Sequence, residues 1–182
     1  WMKIVNGIKF PGMPGFLLNS ATDTLLKKDF DRYRNLGKPH PFMERNGLGH
    51  LVPYKHDDFE TWTKSLQLGL RTNFEEQNLI VGGGLDDVWH NPKTNEIHIV
   101  DYKSTAQGKN EEGNALKEIN LYGTYKEGYK RQMDIYVHIL RKMNFKVSNT
   151  TYFMVCNGEK TNEKFDNKID FKTVLVPYES DP

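Results

Sequence analysis

Apolar positions recur along this chain with two periods, and the switches between them predict an order of elements. Ile4 to Phe10 reads as a short β-like run, followed by the irregular Pro11-Gly-Met-Pro-Gly15. Leu25, Leu26, Phe30 and Tyr33 then fall at helical spacing until Gly37 and Pro39 stop the run. Ser20-Ala-Thr-Asp23 has the form of a capping box at its start. Residues 38–55, with prolines at 39, 41 and 53, read as a loop, and a shorter helix is expected from Asp57 or Asp58 to Gln67, closed by Gly69. Three consecutive strands follow in a hairpin or meander: Leu70–Glu75, Leu79–His90 and Glu96–Lys103, the last two joined by a turn at Asn91–Asn95.

Gln107–Asn120 lacks apolar periodicity and is expected to be a mobile loop beside the third strand. Gly123–Met143 is a long amphipathic helix by its pattern, with Tyr129, Met133, Tyr136, Ile139 and Leu140 on one side. Strands Ser148–Cys156 and Lys168–Val176 close the order, which is that of an α/β fold. No internal repeat interrupts it, and the acidic-leaning stretch from Glu159 to Pro182 reads as structural.

At 182 residues and 37% hydrophobic composition, the expectation is a single domain spanning residues 1–182. A formal charge of +1 neither announces nor excludes a polyanionic partner, so distribution matters more than total. From Thr24 to Arg45, Lys27, Lys28, Arg32, Arg34, Lys38 and Arg45 outnumber Asp29, Asp31 and Glu44, and one face of the first helix could lie along phosphates. The lone Cys156 excludes an internal disulfide and any multi-thiolate metal or iron–sulfur site within the chain. Without a membrane-length apolar run or a signal-peptide core, a soluble, cytoplasmic protein is expected. Trp1 stands ahead of Met2, so the natural sequence can extend upstream.

The candidate chemistry concentrates between Leu79 and Thr105. Strand side chains alternate, so Asp101 and Lys103 must share a face with Ile97 and Ile99, which puts charge at the end of an apolar row. Asp86, behind Gly82-Gly83-Gly84, is expected on the neighbouring strand. Two carboxylates converging from adjacent strands suit Mg²⁺ or Mn²⁺, hard ions that take one or two carboxylates plus water and phosphate. Such an ion polarises a phosphate oxygen and acidifies water, and Lys103 is placed to position that water or offset developing charge. Gln132 and Tyr136, four apart, share a face of the later helix.

Taken singly, each piece has a plainer role: an ion pair for Asp101 and Lys103, a turn or bulge for the glycines, surface and core for Gln132 and Tyr136. Their ordered combination is rarer. Gly83-Gly84-Leu85-Asp86, Asp101-Tyr102-Lys103 and Gln132-Met133-Asp134-Ile135-Tyr136 resemble the motifs of the PD-(D/E)XK nuclease superfamily. Within it they resemble the RecB-like branch that includes CRISPR-adaptation exonucleases and phage lambda exonuclease.

The resemblance covers roughly Ser20 to Asn157. It implies a restriction-endonuclease-like core, a mixed central β-sheet flanked by helices in αβββαβ order. It also implies Mg²⁺- or Mn²⁺-dependent hydrolysis of DNA phosphodiesters, on DNA ends or single strands, in DNA processing and repair. Asp86 and Asp101 would be metal ligands, the Tyr102 carbonyl a possible third, and Lys103 the catalytic lysine, with Gln132 and Tyr136 steadying the site and the DNA.

Three departures accompany it. Where many relatives have a metal-binding histidine in the first helix, this chain offers Asp23, with Asp29 as a second candidate, and the capping role is favoured for Asp23. The four cysteines of iron–sulfur relatives are absent, so no such cluster is expected. Asp87 competes with Asp86, which is preferred because the family places an aliphatic residue just before the aspartate.

None of the six histidines makes a convincing ligand; His50 and His56 read as loop residues, and His98 falls on the strand face opposite Asp101. Trp62, Trp89 and Tyr102 could stack on bases, although core packing suits the tryptophans better. The rival reading is a non-catalytic nuclease-fold subunit that holds DNA or assembles a larger DNA-processing complex. Phosphoryl chemistry on nucleotides is weaker, because no G-x-x-x-x-G-K-[ST] loop is present.

Overall fold

A computed structural model describes residues 5–7, 17–64, 68–74, 78–106, 124–160 and 163–182. The Gln107–Asn120 loop and most of the Ile4–Phe10 run lie outside the described residues. The long first helix, α1, spans Leu17–Leu36 and begins upstream of the expected start. Ser20 is therefore inside the helix rather than capping it, and the Asp23 carboxylate binds the Lys27 ammonium one turn on, at 2.9 Å. A capping pattern marks only a possible start, and helical residues upstream of it remove its function. The far end follows the pattern: Gly37 adopts φ +62°, and the N–H groups of Gly37 and Lys38 bond the carbonyls of Arg34 and Tyr33. Phe30 and Arg34 form the buried side of α1, whereas Leu25 of the expected apolar run is exposed.

Two short elements occupy the stretch expected to be loop. Helix α2 is Pro41–Arg45, capped by His40, whose Nδ1 accepts the Phe42 N–H at 3.0 Å. Strand β1 is Val52–Pro53. Five residues are too few to show helical periodicity, and histidine is outside the usual set of capping residues. The second expected helix is a single turn, α3, at Phe59–Trp62, although residues 65–67 lie outside the described residues.

The expected strand Leu79–His90 is two strands in two sheets. Strand β2 (Leu70–Phe74) pairs antiparallel with β3 (Leu79–Gly83), while β4 (Asp87–Asn91) pairs antiparallel with β5 (Glu96–Thr105). The chain leaves one sheet and enters the other across Gly84-Leu85-Asp86. Helix α4 (Thr124–Lys142) then returns the chain so that β6 (Thr150–Gly158) runs parallel to β5, and β7 (Phe171–Glu179) completes the sheet on β6. The main sheet has the order β1-β4-β5-β6-β7. It is mixed, as expected, and flanked by helices.

Alternation along β5 sorts the core into two layers. Ile97 and Ile99 join Val88, Phe153 and Val155 against Met133, Val137 and Leu140 of α4. Val100 and Tyr102 join Trp89, Tyr152 and Met154 beneath Phe30 of α1 and Phe42 and Met43 of α2. At about 25 cal/mol per Å² of apolar area removed from water, these two layers supply the main drive for folding. The β2–β3 pair is a separate two-stranded sheet that packs on α4. Among the described residues, no helix is long and apolar enough to cross a membrane.

Candidate functional site

The ladder between β4 and β5 ends at Asp87 opposite Val100, but β5 continues to Thr105. Beyond that end the side chain of Asp86 takes over the free strand edge: its Oδ2 accepts the backbone N–H of Tyr102 at 2.9 Å. In an extended strand the N–H and C=O of one residue face the same edge, so the Tyr102 carbonyl opens towards the edge Asp86 holds. Asp86, Asp101 and Lys103 thus meet at one strand end.

Asp101 and Lys103 continue the row of Ile97 and Ile99 on the α4 side, as alternation requires. The Lys103 ammonium lies 2.5 Å from Oδ2 of Asp101 and sits 4.4 Å from the ring centroid of Tyr129 on α4. Asp101 is 3% exposed, and its Oδ2 is held by the Lys103 ammonium. Burial pushes its carboxyl up to about 7, against the pull of Lys103 and with the neighbouring Asp86 carboxylate adding to the rise.

Gln132 and Tyr136 are brought to the same place from α4. Nε2 of Gln132 donates to the Tyr136 hydroxyl at 2.7 Å. Burial raises the Tyr136 phenol; the Gln132 hydrogen bond opposes that rise, and the charges of Asp101 and Asp86 add to it. The phenol therefore stays protonated. Its ring lies on the backbone of Gly83, where a Cβ would come within 2.5 Å of Cε1. A Cβ on Gly82 would meet the Leu70 carbonyl at 2.6 Å. The paired glycines are thus close-approach positions within β3.

Asp87, the rival to Asp86, has a different environment. Its Oδ1 receives Nη2 of Arg34 at 2.5 Å and the Val88 N–H at 2.7 Å. Its Oδ2 receives the Tyr102 hydroxyl at 2.7 Å and Trp89 Nε1 at 3.2 Å. Arg34 also donates to the Tyr54 carbonyl and to Asp31, and its guanidinium lies 3.9 Å from the Phe59 ring centroid. Both Asp87 oxygens are consumed in this buried brace between α1, β4 and β5. Asp87 bonds Trp89 of one core layer, whereas Leu85 packs in the other, because the chain bends at Asp86 before the strand begins. Tyr102 has its ring buried and its hydroxyl engaged, so it offers no stacking face; Trp62 and Trp89 are core.

Among the described residues Asp23 reaches the site through Lys27, whose ammonium lies 2.9 Å from Asp23 Oδ2 and 3.2 Å from Asp86 Oδ1. Burial alone would lower the Lys27 pKa, but Asp86 and then Asp23 hold it above its ordinary value. Asp29 is not brought to the site; it binds Nε2 of His40 at 3.0 Å on another part of α1. His98 lies on the opposite face, with Nδ1 donating to the Thr150 carbonyl at 2.8 Å. His56 is half-buried rather than free, stacked on Trp62 with ring centroids 4.6 Å apart. The part played by Lys27 was missed in the sequence, where it counted only as one of six basic residues. Its i, i+4 spacing from Asp23 was the available signal. Lys27 and Arg34 turn inward to Asp86 and Asp87, which leaves Lys28, Arg32, Lys38 and Arg45 exposed.

Among the described residues no group of three His, Cys, Asp or Glu side chains stands ready around a single point. Two carboxylates suffice for Mg²⁺ or Mn²⁺, which keep several waters. The buried Asp101 carboxylate beside the Asp86 carboxylate is an oxygen donor pair of the kind such an ion takes. The residues fit a divalent cation.

No protein-family model and no curated protein matches the sequence. Among solved structures the chain is similar to the crystal structure of a putative exonuclease from Eubacterium rectale, with a TM-score of 0.42 and 15% identity. The likeness covers 96% of this chain and 64% of the other, so this chain spans less than two thirds of that protein's length.

Proposed function

We propose that this protein is a metal-dependent nuclease of the PD-(D/E)XK type that hydrolyses DNA phosphodiester bonds, at ends or in single strands, with Mg²⁺ or Mn²⁺. The observation that carries the reading is the meeting of Asp86 with Asp101 and Lys103 at the end of β5, where a buried carboxylate stands beside a second carboxylate and an ammonium. Asp86 and Asp101 would hold the ion, with the Tyr102 carbonyl as a third oxygen. When bound, the ion supplies Lewis-acid polarisation of the phosphate and acidifies water.

The remaining work falls to the chain's own side chains. Lys103, 22% exposed at its side chain and steadied over the Tyr129 ring, presents an ammonium beside the carboxylates, where it can offset charge developing on a phosphate. The Gln132–Tyr136 pair holds a phenol at the same end, where it can orient a phosphate oxygen or water. The Tyr102–Asp87–Arg34 brace holds the strand end still, so that the carboxylates need not reorganise.

The test is cleavage of end-labelled DNA in Mn²⁺ and Mg²⁺, with a chelator control, by the natural sequence and by Asp101→Ala and Lys103→Ala. Metal-dependent cleavage lost in both variants supports the reading, and cleavage that survives both overturns it. DNA binding without cleavage would favour the non-catalytic, DNA-holding alternative.

A further inference from the structure

Lys27 is the one residue of the cluster that neither the motifs nor the proposed chemistry accounts for. An ammonium placed i, i+4 from an aspartate is ordinary on a helix surface. This one also reaches across to Asp86, 59 residues away in the chain, and so lies between carboxylates of two different elements. It is not sealed in the core: its side chain is 30% exposed and borders a depression of about 390 Å³ beside Asp86.

We propose that the Lys27 ammonium is a resident cation of this site, which occupies the position between Asp23 and Asp86 and limits the site to a single divalent ion at Asp86 and Asp101. The inference rests on the reading of those two residues as a metal centre. Charge balance supports it. With their carboxyls ionised, Asp23, Asp86 and Asp101 against Lys27 and Lys103 leave one net negative charge. One divalent ion brings the cluster to a single positive charge, matched to the single negative charge of a phosphodiester. A second ion would leave a threefold positive cluster with two ammonium groups inside it, which like-charge repulsion opposes.

The same ammonium competes with the divalent ion for Asp86 Oδ1, so removing it should tighten metal binding. Lys27 is therefore a positioning residue that sets metal number and affinity.

Calorimetric titration of the full chain with Mn²⁺, after treatment with chelator, tests this without reference to cleavage. The expected result is one Mn²⁺ per natural chain, binding at least about fivefold tighter in Lys27→Met, and unchanged affinity in Lys27→Arg. Lys27→Gln repeats the test with a polar tip should the methionine variant fold poorly. Two ions bound by the natural chain, or an affinity unchanged or weakened in both Lys27→Met and Lys27→Gln, overturns the inference while leaving the metal centre intact. Absence of Mn²⁺ binding by the natural chain, or binding that survives Asp101→Ala, overturns the metal centre and this inference with it.

Discussion

Oδ2 of Asp86 accepts the backbone N–H of Tyr102 at 2.9 Å, so a side chain from the approach to β4 completes the edge of β5 between the two charged residues Asp101 and Lys103. The bond sets the spacing of the two carboxylates. It also separates two roles of Asp86, an uncharged one as acceptor and the charged one proposed for it as metal ligand. Asp86→Asn keeps an oxygen for the Tyr102 N–H and removes the charge. Turnover should fall on the order of 10²–10³-fold, with stability in urea within about 1 kcal/mol of the natural chain. Full activity in Asp86→Asn would return the ligand role to another residue.

Asp87 should behave in the opposite way. Its carboxylate compensates the buried Arg34 guanidinium and takes the Tyr102 hydroxyl and the Trp89 indole. Removing one member of a buried ion pair leaves the other uncompensated, so Asp87→Ala should cost about 3–5 kcal/mol in urea unfolding. A mild loss of stability with a large loss of turnover would reverse the assignments of Asp86 and Asp87.

Asp101 carries a pH signature. Its carboxyl is raised from an ordinary 3.8 to about 7 in the folded protein, chiefly by burial. Between these values the folded state binds more protons than the unfolded state, so stability falls as pH rises, by up to ~1.4 kcal/mol per pH unit. In chelator, urea unfolding from about pH 4 to 8 should show this decline in the natural chain and a flatter profile in Asp101→Asn. Mn²⁺ should restore stability above about pH 7, since a ligand that binds only the folded state stabilises it. Equal slopes in the two proteins would show that Asp101 is not the group responsible.

Gly83 should tolerate no side chain. An alanine Cβ would come within 2.5 Å of Cε1 of Tyr136, and that ring cannot retreat without leaving Gln132. Gly83→Ala should cost about 1–3 kcal/mol by overpacking and lower turnover through a displaced Tyr136. In a Tyr136→Ala background, which itself loses buried packing, the further cost of Gly83→Ala should largely vanish, without return of turnover. A Gly83→Ala variant that matches the natural chain in both would show that the ring has room to move.

Much of this arrangement was legible in the sequence, because it depends on periodicity. Alternation along Glu96–Thr105 puts Asp101 and Lys103 on the face of Ile97 and Ile99 and His98 on the other, whatever the strand packs against. The helical period of residues 124–142 places Met133, Tyr136, Ile139 and Leu140 inward, and the four-residue interval joins Gln132 to Tyr136. These are local consequences of backbone geometry.

The remaining features needed long-range contacts. Asp86 and Asp87 are adjacent and chemically identical, and alternation could not sort them, because the chain bends between the two sheets just before β4 begins. Only the arrival of Arg34 and the Tyr102 hydroxyl consumes Asp87, and only the free edge of β5 engages Asp86. The start of α1 likewise lay beyond the capping pattern at Ser20, which freed Asp23 to bind Lys27. Sequence by itself determined which side chains share a face, since that follows from the repeat of the backbone. Tertiary structure decided which carboxylate is buried in a brace and which is left at the strand end, since a residue's charge partners can come from 53 or 59 positions away.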